Sequence, residues 1–245
     1  MLQTGPLEDY PLFIPCNGDM LDARLSLPVN PSGLVICLRS AQTGQERERR
    51  LRDGLNRRSL ATLALNTLTE NEREQAPAQA WHRFNIPLLT RRITAALDWC
   101  SNQVRLSTLP VSLIATGNNA AASLVVAARH PHRIQAIVCR GGRPDLAGSH
   151  LPKVHAPVLF ALGERDGAGR SALQRSVTYL RCSYRTALFA GTGPHFQEFD
   201  AWSTFVELCG QWLITQSNLP MPAMPYARHS LILLGRQPDT EVTQP

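Results

Sequence analysis

The chain has 245 residues and a mass of 27.0 kDa, and its hydrophobic fraction of 43% is enough to bury one large core. The net charge of +6 comes almost wholly from arginine, because Lys153 is the only lysine. The densest basic stretch, residues 45–53, interleaves acids with bases, and aromatic residues make up only 6% of the chain, so we expect no nucleic-acid partner.

Short apolar runs alternate along the chain with longer segments of helical period, which is typical of a mostly parallel sheet covered by helices on both faces. The first two strands, Leu12–Pro15 and Leu21–Leu27, are expected to form an antiparallel pair. The buried strands that follow are predicted at Leu34–Leu38, Ala61–Leu65, Val111–Ala115, Ile134–Cys139, Val158–Leu162 and Arg185–Phe189.

Helices are predicted between these strands at Glu46–Asn56, Leu88–Ser101, Ala120–Arg129, Ser171–Arg181 and Ala201–Gln216. After residue 216 three prolines interrupt the helical pattern, and the last eleven residues are polar. The sequence therefore predicts one α/β domain over residues 1–216 and a C-terminal tail, partly disordered, over residues 217–245. The apolar run Ser230–Leu234 within that tail is expected to form an edge strand or a docking segment.

Six cysteines are widely scattered, with no CxxC pair and no histidine and cysteine cluster at zinc-ligand spacing. Reduced, buried thiols are the expected state. No apolar run approaches the roughly 18 residues needed to cross a bilayer, and residues 1–10 carry two acids instead of the basic start of a signal peptide. We expect a cytoplasmic protein that does not bind membranes.

Function in such a sheet is expected in the loops that follow the carboxyl ends of the strands. Three loops carry candidate residues. The segment Leu113–Leu124 is a strand, a sharp turn and an alanine-rich helix, Gly163–Gly167 places Asp166 after the next-to-last core strand, and Gly191–Phe196 places His195 after the last one.

This order of elbow, acid and histidine resembles that of α/β-hydrolases. The stretches Arg140–Gly148 and Phe84–Leu89 further resemble a bacterial subgroup similar to dienelactone hydrolases, over roughly residues 10–215. The resemblance implies an α/β-hydrolase fold. It also implies that Asp166 and His195 are the acid and base of a catalytic triad, in which the carboxylate orients the imidazole.

The nucleophile position departs from the family pattern. The elbow reads Ala115-Thr116-Gly117-Asn118-Asn119, with Gly117 where a serine or cysteine is expected. Neither alternative register supplies a nucleophile, because Thr116 would lie on the strand side of the turn and Ser123 two turns into the helix. Glycine relieves the backbone strain that the elbow imposes on a residue with a Cβ. A helix N-cap is the structural role expected for one of the two asparagines, and Asn118 is also a candidate ligand-binding residue.

The oxyanion side of the site differs from the family as well. The loop after the first central strand is glycine-rich in relatives, but here it reads Arg39-Ser40-Ala41-Gln42. Arg39 and Ser40 are candidate ligand-binding residues. Arg140 and Arg143 could form an anion clamp, although binding to backbone carbonyls or to the carboxylate of Asp145 is an equally good explanation.

Three functions remain open from the sequence. The first is a pseudo-hydrolase that binds a small molecule, for which an anion is one candidate class. The second is a non-covalent enzyme (a lyase, a cyclase or a water-activating hydrolase) that uses His195 with Asp166 as a general base on a small ester, lactone or carboxylate. The third, an ordinary serine hydrolase, requires a different alignment of the elbow. No cofactor is expected, and no metal, because His130-Pro131-His132 has no acid nearby.

Overall fold

The structure is a computed structural model that describes residues 7–39, 44–75, 81–217 and 229–234. The described residues form one nine-stranded sheet in the order β1-β2-β4-β3-β5-β6-β7-β8-β9. The β1–β2 and β2–β4 pairs are antiparallel and all others are parallel. The strands are β1 Glu8–Cys16, β2 Asp19–Leu27, β3 Gly33–Leu38, β4 Leu60–Leu65, β5 Val111–Thr116, β6 Ala136–Arg140, β7 Val158–Gly163, β8 Tyr184–Phe189 and β9 His229–Leu234.

Burial explains where the central strands form. Every residue of β3, β4, β6 and β7 is buried, as expected for parallel strands covered on both faces. The opening pair β1–β2 is a hairpin whose two-residue turn, Asn17-Gly18, has positive φ at both positions, the arrangement of a tight hairpin turn. The predicted antiparallel opening and the parallel core are both confirmed.

Helices cover both faces of the sheet. They are α1 Gln45–Asn56, α2 Glu70–Glu74, α3 Ile86–Ser101, α4 Asn118–Arg129, α5 Gly167–Val177 and α6 Phe199–Ser217. Residues of α3, α4 and α5 join one hydrophobic core, and residues of α1 and α6 join the other. No helix in the described segments has the length and apolar character that a membrane span requires.

Two helical details differ from the sequence prediction. Helix α5 begins at Gly167 rather than Ser171, because the side chain of Asp166 accepts a hydrogen bond from the backbone N–H of Gly169 and starts the helix earlier. The short helix α2 was not predicted. It is started by a capping box in which Thr69 and Glu72 each bond the other's backbone N–H.

The segment beyond residue 217 adds a strand to the sheet. Strand β9 pairs in parallel with β8, in register from Tyr184–His229 to Phe189–Leu234. The run Ser230–Leu234 therefore belongs to an edge strand, which was one of the two expectations for it. The rest of the predicted tail, residues 218–228 and 235–245, lies outside the described residues, as do Ser40 to Thr43.

Candidate functional site

The elbow between β5 and α4 is a sharp turn at Gly117. The backbone of Gly117 has φ 60° and ψ −133°, a conformation that residues with a Cβ rarely adopt. A Cβ placed on Gly117 would have no atom within 4 Å, so the strain, and not a lack of space, favours glycine here.

Glycine at a second position lets another loop close on the elbow. A Cβ on Gly142 would lie 2.5 Å from the Gly117 carbonyl oxygen and 2.7 Å from its nitrogen. The next residue, Arg143, donates its backbone N–H to the same carbonyl oxygen at 3.1 Å. The loop after β6 therefore holds the backbone of the elbow in place.

The two asparagines after Gly117 do not cap helix α4, contrary to the structural role expected from the sequence. The N-cap position is Gly117 itself, which has no side chain to accept a hydrogen bond. Asn118 instead donates its side-chain amide to the carbonyl oxygen of Arg83 at 2.7 Å, and the Asn119 side-chain oxygen accepts a hydrogen bond from the Thr67 hydroxyl at 3.1 Å. Both side chains thereby fix neighbouring loops to the elbow.

A cavity of about 400 Å³ opens at the elbow, and Thr116, Gly117, Asn118 and Asn119 form part of its wall. We call it the elbow cavity. Its lining residues include three cations and one acid, which are Arg39, Arg73, Arg83 and Glu48. The wall of the cavity therefore carries a formal charge of +2 when Glu48 is ionised.

Two helices begin at this cavity without a side-chain cap. The N-caps of α1 and α4 are Gly44 and Gly117, and neither helix has a side-chain cap hydrogen bond. Helices α2, α3 and α5 are capped by Thr69, Asn85 and Asp166. Because the first N–H groups of a helix have no partner within it, the two uncapped N-termini leave backbone donors, and the positive ends of two helix dipoles, beside the cavity.

Arg39, a candidate ligand-binding residue, lies in the cavity wall and is ion-paired. Its Nε is 2.7 Å from Oε2 of Glu48 on α1. Burial raises the pKa of the Glu48 carboxyl, and the nearby charges of Arg39 and Arg52 partly offset this effect. The remainder of the predicted oxyanion loop, including Ser40, is outside the described residues.

Asp166 and His195 lie at a different part of the sheet edge. The carboxylate of Asp166 is buried, with the residue 7% exposed, and its Oδ1 accepts the Gly169 N–H at 2.8 Å. His195 is exposed. In the described residues no hydrogen bond or ion pair joins the two side chains, and neither residue is part of the elbow cavity wall.

The loops that carry Asp166 and His195 are nevertheless bound closely together. A Cβ on Gly163 would lie 2.3 Å from the Thr192 carbonyl oxygen, and the backbone N–H of Arg165 bonds that oxygen at 2.9 Å. The Glu164 carboxylate accepts the Gly191 N–H at 2.8 Å. The family order of acid loop and histidine loop is thus present as backbone packing, while no hydrogen bond or ion pair joins the described imidazole and carboxylate.

The two arginines of the suggested clamp have separate surroundings. Arg140 is 4% exposed, and its guanidinium carbon lies 5.8 and 5.4 Å from the ring centres of Phe196 and Trp202. Burial lowers the pKa of Arg140 to about 10. Arg143 makes a bidentate ion pair with Asp145, its Nε lying 2.8 Å from Oδ1, which matches the alternative explanation given above. Neither arginine is part of the elbow cavity wall.

Three charged residues of the cavity wall were not proposed as site residues from the sequence: Glu48, Arg73 and Arg83. All three lie in arginine-rich or polar stretches that look like solvated surface, and only their convergence on one cavity distinguishes them. No group of three or more histidine, cysteine, aspartate or glutamate side chains suited to a metal ion occurs in the described segments.

Comparison with solved structures defines the class of the fold. The chain resembles a dienelactone hydrolase from Anabaena variabilis, with a TM-score of 0.80 and 29% identity, over 85% of this chain and 98% of that one. It also resembles the esterase Est1E from Butyrivibrio proteoclasticus, with a TM-score of 0.66 and 15% identity, over 84% of this chain and 98% of that one. The sheet order, the helices on both faces and these neighbours show that the protein has the α/β-hydrolase fold, and its similarity to a dienelactone hydrolase extends across most of the chain.

The sequence comparisons add a second kind of relative. No family model matches the chain. Two proteins of Mycobacterium tuberculosis strains, each named "Putative phosphoribosyl transferase", are 29% identical to it over 221 residues. The match covers 89% of this chain but 49% of each relative, so the chain spans about half the length of the curated relatives it matches.

Proposed function

We propose that this protein is a pseudo-hydrolase that binds a small anionic molecule in the elbow cavity. One observation carries the proposal: two helix N-termini without side-chain caps open on a cavity that is also lined by three arginines. Helix N-termini and guanidinium groups are both recurrent protein partners of phosphate and carboxylate groups.

The volume of the cavity supports a ligand of small-molecule size. About 400 Å³ falls within the roughly 300–1,000 Å³ range of ligand pockets. Arg83 is the best-placed cation for an added anion. Its guanidinium donates a hydrogen bond to the Arg73 carbonyl oxygen at 2.9 Å, and among the described residues it has no carboxylate partner, whereas Arg39 pairs with Glu48 and Arg73 with Asp22.

The same cavity wall argues against covalent catalysis. Gly117 occupies the turn at which the hydrolase family places its nucleophile, and covalent acyl transfer needs an attacking atom there. The nearest hydroxyl on the strand side, that of Thr116, donates to the Arg140 carbonyl oxygen at 2.8 Å, and Ser123 is fully buried in α4. Both are poorly placed to replace the missing nucleophile.

The alternative of a non-covalent enzyme that uses His195 and Asp166 has less support. A general base of this type needs hydrogen-bond contact, at roughly 2.6–3.2 Å, with the acid that orients it. Asp166 instead uses its carboxylate to cap α5, and His195 is exposed. This alternative stays a prediction, and loss of turnover in His195→Ala would support it.

The binding experiment uses the purified full-length chain. Isothermal titration with inorganic phosphate, pyrophosphate, sulfate, succinate and ribose 5-phosphate tests the ligand class, and the last probe is included because the name of the mycobacterial relatives refers to a phosphoribosyl group. Mass spectrometry of molecules that copurify with the protein would identify the natural ligand. Binding of none of these anions, with no anion copurifying, would contradict the proposal.

A pair of arginine variants locates the site. Arg83→Ala should weaken anion binding by about 10- to 100-fold, because hydrogen bonds to charged groups contribute roughly 1.5–3 kcal/mol. Arg165→Ala is the matched control, since Arg165 is an exposed arginine that pairs with Glu198 near the histidine loop. Equal affinity in both variants would place the anion elsewhere.

A further inference from the structure

Glu48 is the only acid among the residues that form the described wall of the elbow cavity. Its carboxylate lies on α1 with 15% of the side chain exposed, and Oε2 accepts the Arg39 Nε–H at 2.7 Å. The carboxylate therefore holds one of the three cavity cations in the way that a bound anion would. A carboxylate in this place also repels any anion that enters the cavity.

We propose that Glu48 is a built-in counter-anion of Arg39, and that an anionic ligand binds the elbow cavity together with a proton that neutralises Glu48. This inference rests on the proposed function and describes how the same site is regulated. Protonation of Glu48 ends its ionic hold on Arg39 and raises the formal charge of the cavity wall from +2 to +3. The ligand then takes the place of the carboxylate as the counter-ion of Arg39.

The charges around Glu48 and its burial act on its pKa in opposite directions. The titratable and charged groups that face it come from four places: Arg39 and Cys37 at the end of β3, Arg52 one turn further along α1, Arg73 and Arg83 across the elbow cavity, and Arg140 at the end of β6. Apart from the Cys37 thiol, whose pKa burial raises to about 12, they are all cations. Burial nevertheless raises the pKa of Glu48, so its proton is retained to a higher pH than on an exposed glutamate.

The direction of the pH effect follows from linkage. A ligand that prefers the protonated form of Glu48 must raise the pKa of Glu48 further when it binds. Affinity for a non-titrating anion therefore rises as the pH falls toward the pKa of Glu48. Above that pKa, each binding event takes up as much as one proton.

The experiment is a titration with sulfate, which remains a dianion over the range used. Isothermal titration between about pH 5 and pH 8, in buffers of different ionisation enthalpy, measures both the affinity and the protons taken up. Wild type should bind more tightly at low pH with proton uptake. Glu48→Gln should bind at least about tenfold more tightly than wild type near pH 8, with an affinity that no longer depends on pH and with no proton uptake.

Glu46→Gln is the matched control because Glu46 lies two residues away on α1 and pairs with the exposed Arg49 and Arg50. It should behave as wild type does. Sulfate binding to wild type without proton uptake would overturn this inference and leave the proposed function standing, whereas failure of sulfate to bind either wild type or Glu48→Gln would overturn both. If Glu48→Gln does not fold, as judged by circular dichroism, proton uptake by wild type decides the question.

A pH dependence that persists in Glu48→Gln would also overturn the inference. It would assign the proton to a group other than Glu48.

Discussion

The two parts of the sheet edge that carry the family motifs differ in whether their polar groups have hydrogen-bond partners within the protein. At the ends of β3, β4 and β5, two helices start from glycine without side-chain caps, and arginines surround an open cavity. At the ends of β7 and β8, Asp166 caps α5 and the adjoining loops bond each other. Polar groups without internal partners are available to a ligand, whereas satisfied groups stabilise the fold. The difference suggests that binding belongs to the first region and structural support to the second.

Replacing a closely packed glycine should cause the largest loss of unfolding free energy in both regions. Gly142→Ala and Gly163→Ala would each place a Cβ within 2.5 Å of a backbone oxygen, and Gly142 also has φ +85°. We expect a loss of about 2–4 kcal/mol of unfolding free energy from overpacking and strain, measured by urea denaturation.

Gly167→Ala is the control for these two variants, because a Cβ there meets no atom within 4 Å and φ is not positive. Anion affinity, measured in those variants that fold, then compares the elbow region with the region around Asp166. Gly142→Ala should weaken it by displacing the elbow, and Gly163→Ala should leave it unchanged. Equal losses of affinity in both would show that the two regions act as one site.

Placing a serine at Gly117 should cause an intermediate loss of unfolding free energy. In Gly117→Ser the side chain has space, but the backbone at φ 60° should cost about 1–3 kcal/mol of unfolding free energy. We expect weak esterase activity at best, because the stretch from Arg39 to Gln42 lacks the glycines that make an inward-pointing backbone N–H inexpensive, and loss of one oxyanion donor costs about 10²–10³-fold in rate.

Labelling by a fluorophosphonate checks the same substitution. Wild type should not react and Gly117→Ser should react slowly. Stoichiometric labelling of wild type at Thr116 or Ser123 would mean that the elbow is misplaced, and robust ester turnover by the variant would mean that the oxyanion hole is intact.

Removing the Asp166 carboxylate should cause a smaller loss of unfolding free energy and should affect stability alone. Asp166→Ala deletes the cap of α5 and should lower the unfolding free energy by about 0.5–2 kcal/mol, while Asp166→Asn, which retains a capping oxygen, should lose less. Anion affinity should be unchanged in both. A tenfold loss of affinity in Asp166→Asn would contradict the division between a binding region and a supporting region.

The smallest effect is expected at His195. The residue is exposed and lies outside the elbow cavity wall, so His195→Ala should change the unfolding free energy by less than about 0.5 kcal/mol and leave anion affinity within about twofold. The check is the same titration and urea denaturation. Loss of a catalysed turnover in this variant would instead favour the general-base alternative.

The sequence by itself was sufficient to predict the sheet, the antiparallel opening pair and the turn at Gly117. These features depend on local patterns, namely continuous apolar runs for buried strands, a helical period between them and a glycine where the chain turns sharply. The same patterns and the order of the motifs were sufficient to infer the α/β-hydrolase fold.

Only the tertiary structure decided which polar side chains share a site. Arg39 follows β3, whereas Arg73 on α2 and Arg83 both follow β4, and the three converge because β3 and β4 are neighbours in the sheet. The structure likewise decided the hydrogen-bond partners of two predicted site residues: the Asp166 carboxylate caps α5, and the Asn118 amide, in the wall of the elbow cavity, bonds the Arg83 carbonyl oxygen. Sequence spacing determines where a residue lies along the chain, whereas its hydrogen-bond partner depends on the elements that the fold packs against it.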